Sequence, residues 1–219
     1  MLSFLPAIIL FPLHLILQVF NLAFWALLII SMGFVKLILP FKAATKLLNP
    51  VMNQFSIYFG VISVGLIKLT NRVEWDCNIK GELKKDSWYL MMPNHLSWLD
   101  IILLFDFADG RIPAPKFFLK KELIWLPFVG LGAWALDMPF MQRYSRVFLE
   151  KYPHLKGKDI ETTRKSCEKF KDKPVTVINF VEGSRFTAEK HQQRNSSFDN
   201  LLPPKAGGVA FTLAAMGEL

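Results

Sequence analysis

From Met1 to Val35 the chain carries no Asp, Glu, Lys or Arg, and this run restricts the available folds more than any other feature. The segment LHLILQVFNLAFWALLIISMGFVKLIL, residues 13–39, has the length and apolarity of a bilayer-seeking helix. Pro12 is expected in its first turn and Pro40 just past its end, where proline is tolerated. A cleaved signal sequence fits poorly, because there is no basic leading region, the apolar run is too long and no small-residue cleavage site follows. A second segment, NPVMNQFSIYFGVISVGLIKL, reads as a helix with Asn49 as N-cap and Pro50 as its first residue. In it Asn53, Ser56, Gly60 and Ser63 recur at alternating spacings of about three and four, a small polar stripe that lets another helix approach closely. A soluble-core helix with its polar edge in water is the bland alternative. Under two full spans, Lys36, Lys42 and Lys46 would lie opposite Lys68 and Arg72, against the positive-inside tendency. A re-entrant or interfacial hairpin over residues 1–70 removes that conflict.

With 219 residues, 52% of them hydrophobic, there is material for one sizeable domain besides a membrane element. Lys and Arg outnumber Asp and Glu 26 to 18, a formal charge of +8, which favours anionic partners. Of nucleic acid, acidic lipid surfaces and phosphorylated substrates, the apolar composition favours lipid. Cys77 and Cys167 stand far apart in unrelated contexts, which is neither a disulfide framework nor a metal-binding spacing. A structural metal site is not expected.

Beyond residue 70 the composition changes. VEWDCNIKG and SWYLMMP read as strands, KFFLKKELIW as a strand end entering a short helix, and WALDMPFM as a strand. KDIETTRKSCEKF reads as a charged amphipathic helix and PVTVINFVEG as a buried strand. Strands alternating with helices over residues 71–219 give an α/β or α+β layered domain. The polar segment TAEKHQQRNSSFDN, residues 187–200, reads as a surface loop beside the site.

Two short stretches carry chemistry. In NHLSWLD, His95 is followed by Asp100 at the start of the apolar run WLDIILLF. Ser97 and Asp100 fit a capping box that opens a helix. Equally, a carboxylate folded back onto the imidazole fixes its tautomer and leaves the other nitrogen free as a general base. The sequence leaves both readings standing, and they are compatible. In FVEGSRF, Gly183 permits a tight turn, Arg185 offers a guanidinium fork suited to phosphate, and Glu182 can accept from hydroxyls or orient the arginine. A solvated surface turn is the plainer reading. Ser184 lacks the G-x-S-x-G elbow of a nucleophile. Between the stretches, Lys116, Lys120, Lys121 and Arg143 bracket an apolar segment whose basic groups could meet phosphates and whose aromatic residues could line an acyl groove.

NHLSWLD, the MPFMQR strand and FVEGSR occur in the order and approximate spacing of the glycerolipid acyltransferase family. That family includes the 1-acylglycerol-3-phosphate O-acyltransferases. KFFLKKELIWLPFVG resembles the branch of bacterial membrane acyltransferases and lysocardiolipin acyltransferases. The resemblance implies that His95 is the general base with Asp100 as its partner, and that Asn94 lies in the same turn. It places Arg143 in a second block, and Glu182, Gly183, Ser184 and Arg185 in a glycerophosphate-binding block. LPPKAGG, with Lys205, resembles the segment that follows. The family's next block is expected beyond Leu219, so the 71–219 domain is expected to be incomplete. The implied reaction moves a fatty acyl group from acyl-CoA or acyl carrier protein to a lysophospholipid hydroxyl, without an acyl-enzyme or cofactor. The expected location is the inner (cytoplasmic) membrane, in contact with membrane lipid, with the site facing the cytoplasm. A lipid-binding scaffold without turnover and a lipid hydrolase are the rivals.

Overall fold

A computed structural model describes Leu2, residues 4–141, 150–152, Cys167, Phe170, residues 173–205, Val209 and Leu213. Two long antiparallel helices lead: α1 (Ala7–Ile38) and α2 (Lys42–Thr70). Both start earlier than the prolines suggest. Pro12 lies inside α1 and Pro50 inside α2, each removing a single helix hydrogen bond. In α2 the strong helix formers Ala43, Ala44, Lys46, Leu47 and Leu48 carry the helix through that loss. The link between the helices therefore shortens to residues 39–41, and Lys42 and Lys46 become helical.

The small polar stripe of α2 faces neighbours on two sides. Toward α1, the Asn21 side-chain amide donates to Ser63 Oγ at 2.9 Å and to the Phe59 carbonyl at 3.1 Å. His14 Nδ1 and Thr70 Oγ1 lie 2.8 Å apart near the open end of the hairpin. Toward the globular part, Gly60 packs on α3 (Leu99–Ala108). A Cβ on Gly60 would stand 2.9 Å from the Asp106 nitrogen and 3.0 Å from the Ile102 carbonyl oxygen, and would overlap Phe105. Gly60→Ala is expected to lower stability by about 1–3 kcal/mol, read as a fall in the detergent melting temperature. An unchanged melting temperature would mean that the two helices do not need this close approach.

Three short parallel strands make the main sheet: β1 (Tyr89–Met91), β2 (Pro115–Phe117) and β5 (Thr176–Ile178), in the order β1-β5-β2. β5 is central and wholly buried, as a strand covered on both faces must be. A separate parallel pair joins β3 (Leu119–Lys120) to β4 (Phe140–Met141). Between them lie a 3-10 turn at Lys121–Trp125 and helix α4 (Val129–Ala135). WALDMPFM is thus mostly the end of α4 and a turn, with a strand only at its close. VEWDCNIKG forms no strand: residues 73–80 are exposed and unladdered among the described residues, and extended backbone without a ladder partner is left to water. The polar segment after residue 186 contains a short helix, α5 (Ala188–Gln193). Thr187 caps it, its side-chain oxygen accepting from the Lys190 N–H at 3.2 Å. KDIETTRKSCEKF lies outside the described residues apart from Cys167 and Phe170, both buried against Val175 and Val177.

One core serves hairpin and sheet together. Ile29 of α1, Met52 of α2, Phe105 of α3, Phe117 of β2, Ala133 of α4 and Ile178 of β5 form a single buried cluster. Lys116 is buried and donates to Asn53 Oδ1 at 2.8 Å and to the Leu136 carbonyl at 2.6 Å. It ties α2 to the layer instead of meeting a phosphate. The outer face of α1 stays uncovered, with Ile8 83% and Phe20 69% exposed.

Candidate active site

The carboxyl ends of β1 and β5 lie side by side, and the Asn179 N–H donates to the Met91 carbonyl at 3.0 Å just past their ladder. The two motifs leave the sheet at this shared edge, where open parallel sheets hold their ligands. They are laced together by backbone. The His95 N–H donates to Glu182 Oε1 at 2.9 Å, and the Phe186 N–H donates to the His95 carbonyl at 2.7 Å.

His95 Nδ1 is 2.8 Å from Asp100 Oδ2. The same oxygen accepts from the Leu96 N–H at 2.7 Å and the Ser97 N–H at 2.9 Å, while Ser97 Oγ accepts from the Leu99 N–H at 3.0 Å. The contacts that both readings require are present: the carboxylate closes the first turn of α3 and grips the imidazole. Burial alone would raise its pKa. Hydrogen bonds from His95, Ser97 and Leu96, with the attraction of the imidazole, outweigh that and hold the carboxyl below its usual range. The stabilisation this represents is present above the ordinary carboxylate pKa and is lost as pH falls through the lowered one.

The face of the imidazole stacks on Phe180, with ring centroids 4.0 Å apart. Phe180 stacks in turn on Phe117 at 6.3 Å, so the ring orientation is fixed by the core as well as by Asp100. With Asp100 as an acceptor-only carboxylate, Nδ1 is the donor in this contact, and Nε2 is the ring nitrogen not engaged by Asp100.

Glu182 is held by backbone donors. It is 2% exposed, and its second oxygen accepts from the Leu202 N–H at 2.8 Å. Its carboxylate holds two backbone segments against the end of β5. Gly183 follows with φ of +68°, a conformation that favours glycine. A Cβ there would also meet Lys205, 2.9 Å from its Cδ. Lys205 thus lies over the turn, and its own N–H donates to the Val181 carbonyl at 2.8 Å. Arg185 is exposed and lies over the Trp98 ring at 4.9 Å; Asn94, the residue before His95, is exposed as well. Arg143 lies outside the described residues.

Arg194 was not among the residues singled out from the sequence. Its guanidinium donates to the Glu182 carbonyl at 3.2 Å and to Ser184 Oγ at 3.0 Å, and Lys190 Nζ donates to the Arg185 carbonyl at 3.0 Å. Helix α5 thereby braces the whole turn from outside. No local pattern marks Arg194, because its partners are ten and twelve residues away.

A parallel sheet that gathers a histidine–carboxylate pair and an arginine-bearing glycine turn at its carboxyl edge defines a class of α/β protein. The comparisons narrow it. The family model described as Acyltransferase matches residues 76–216, and the chain belongs to that family. It is 30% identical over 122 residues to 1-acyl-sn-glycerol-3-phosphate acyltransferase 3 of Arabidopsis thaliana. That match covers 53% of this chain but only 30% of the plant protein's length. The fold is shared with the crystal structure of the 1-acyl-sn-glycerophosphate (LPA) acyltransferase PlsC from Thermotoga maritima. There the TM-score is 0.54 and the identity 22%, over 92% of this chain and 70% of that one.

Proposed function

We propose that the chain transfers a fatty acyl group from a thioester, acyl-CoA or acyl carrier protein, to the free hydroxyl of a lysophospholipid such as 1-acylglycerol-3-phosphate. The observation that carries this reading is the 2.8 Å contact of His95 Nδ1 with Asp100, which leaves Nε2 to take a proton. The acceptor hydroxyl loses its proton to His95 as its oxygen attacks the thioester carbonyl. When the carbon–sulfur bond breaks, the leaving thiolate takes that proton back, so an ester and a free thiol result. Asp100 stabilises the imidazolium between the two transfers. Arg185 and Lys205, with Arg143, offer cations for the acceptor's phosphate, and Asn94 a polar group beside the base.

Ser184 speaks against the hydrolase reading. Its oxygen accepts from Arg194, and a cation at that oxygen supplies no general base. Incubating the purified protein with labelled acyl-CoA and lysophospholipids separates the readings. Acyl transfer is expected; fatty-acid release would favour the hydrolase, and binding without turnover the scaffold.

The hairpin is proposed to lie along the cytoplasmic membrane surface, one apolar face in the leaflet and the site facing the cytoplasm. Both helices are long and apolar enough to cross a bilayer. Yet Gly33 near the tip packs on Ala135, and Gly60 further along α2 packs on α3. With the tip and the middle of the hairpin both held against one layer, an interfacial position supports all the contacts, whereas two spans would break those at the tip.

Arg185→Ala is expected to raise KM for a phosphate-bearing lysolipid about tenfold while leaving KM for the thioester nearly unchanged, since a charge-assisted contact is lost to one substrate only. Equal effects on both substrates would make Arg185 a structural residue, held on Trp98.

A further inference from the structure

Between the hairpin tip and α4 lies a cavity of about 760 Å³. Among the described residues, Lys36, Lys42, Lys46 and Lys173 line it against one acid, Asp137, with Trp134 as a wall. It is separate from the His95 site. Lys173 precedes β5 and Asp137 precedes β4, which puts the cavity at the amino-terminal edge of the strands, whereas His95 and Glu182 leave their carboxyl edge.

The charges there are out of balance. Lys36 Nζ donates to Asp137 Oδ2 at 2.7 Å and to the Ala135 carbonyl at 3.0 Å, and Asn49 donates to the same Asp137 oxygen at 3.3 Å. Among the described residues, no hydrogen bond or ion pair engages the ammonium groups of Lys42, Lys46 or Lys173. Lys42 is moreover the first residue of α2, with Lys46 one turn on, and Phe41 supplies no side-chain cap. The first turn of α2 contains no acidic residue. A helix amino terminus repels cations and attracts anions, so an anion bound beside these two exposed lysines would be favoured by the helix end and by their charge together. The rim is apolar: Leu37 and Pro40 line the cavity, and beside them Ile38 is 76% and Phe41 65% exposed.

We infer that this cavity seats the phosphate head of an anionic membrane phospholipid whose acyl chains run along the exposed hairpin tip, a lipid site apart from the substrate site. The cations and the uncapped helix end select the phosphate, and the apolar rim selects an amphiphile over a free phosphate ester. The inference rests on the hairpin lying in the membrane surface but on no catalytic step, so binding can be measured whether or not the protein turns over.

The test is native mass spectrometry of the full chain in nonionic detergent, titrated with phosphatidylglycerol or phosphatidylcholine of the same acyl chains. Wild type is expected to retain one phosphatidylglycerol with about tenfold preference. The double variant Lys42→Gln with Lys46→Gln is expected to lose that preference, and so is Lys173→Gln, which leaves the hairpin unaltered if the double variant folds poorly. Lys80→Gln with Lys84→Gln removes the same charge from an exposed stretch and is expected to keep it. No preference in wild type, or equal loss in the Lys80/Lys84 control, would reduce the effect to diffuse charge and overturn the site. Displacement of the lipid by glycerol 3-phosphate at comparable concentration would assign the cavity to soluble phosphate esters and overturn the lipid assignment.

Discussion

Asp100→Asn is expected to slow turnover by about two to four orders of magnitude while lowering stability by no more than about 1 kcal/mol. His95→Ala should lose a comparable amount. The substitution separates the two tasks that one oxygen performs. Asp100 Oδ2 accepts from the Leu96 and Ser97 N–H groups and from His95 Nδ1. An Asn oxygen in that place can still accept from the two backbone groups, so the first turn of α3 stays closed. It carries no charge to stabilise an imidazolium. The ring would keep its stack on Phe180 but lose the group that makes a proton on Nε2 favourable. A pH series adds a second reading. Because the Asp100 carboxyl is held below its usual range, its contribution to stability is fully present at neutral pH and disappears as pH falls through the lowered value. The stability gap between wild type and Asp100→Asn should therefore close in acid. A well-folded variant that keeps more than about half its rate would leave Asp100 as a helix cap beside an unassisted histidine.

That both sets of Asp100 contacts are legible in NHLSWLD reflects how local they are. Every partner of this carboxylate lies within five residues, so spacing alone carries the geometry. The glycine turn was legible for the same reason: Gly183 has the positive φ that its place after a buried strand suggests. What spacing cannot carry is contact across the chain. The start of α2 was misplaced because Pro50 looked like a helix opening, when eight preceding residues already form helix. The fusion of hairpin and sheet into one core depends on Met52 meeting Phe105 and Ile178, a pairing with no local signature. Lys116 is open in the sequence to a solvated or a phosphate-facing reading, because spacing does not show that Asn53 and the Leu136 carbonyl stand beside it.

Glu182 is the sharpest case, and its replacement should destabilise the protein more than any other change at the site. The sequence offered it as a group that accepts from substrate hydroxyls or orients the neighbouring arginine. In the fold both oxygens are occupied, one by the His95 N–H at 2.9 Å and the other by the Leu202 N–H at 2.8 Å, in a position 2% exposed. Glu182→Ala would leave two backbone donors facing an apolar gap, which costs about 3–5 kcal/mol. In a domain of this size that lowers the melting temperature by about 6–20 °C. Glu182→Gln should not rescue it. The amide has one oxygen for two donors, so its NH2 must point at one of them, and a buried donor facing a donor is worse than an exposed one. Turnover should fall with stability in both variants, because the His95 N–H is the strut that holds the base against the end of β5. The contrary outcome is equally specific. If Glu182 met the acceptor lipid directly, Glu182→Gln would keep the wild-type melting temperature and raise KM for the lysolipid alone. Differential scanning fluorimetry in detergent, run beside the acyltransfer assay, distinguishes a strut from a substrate contact.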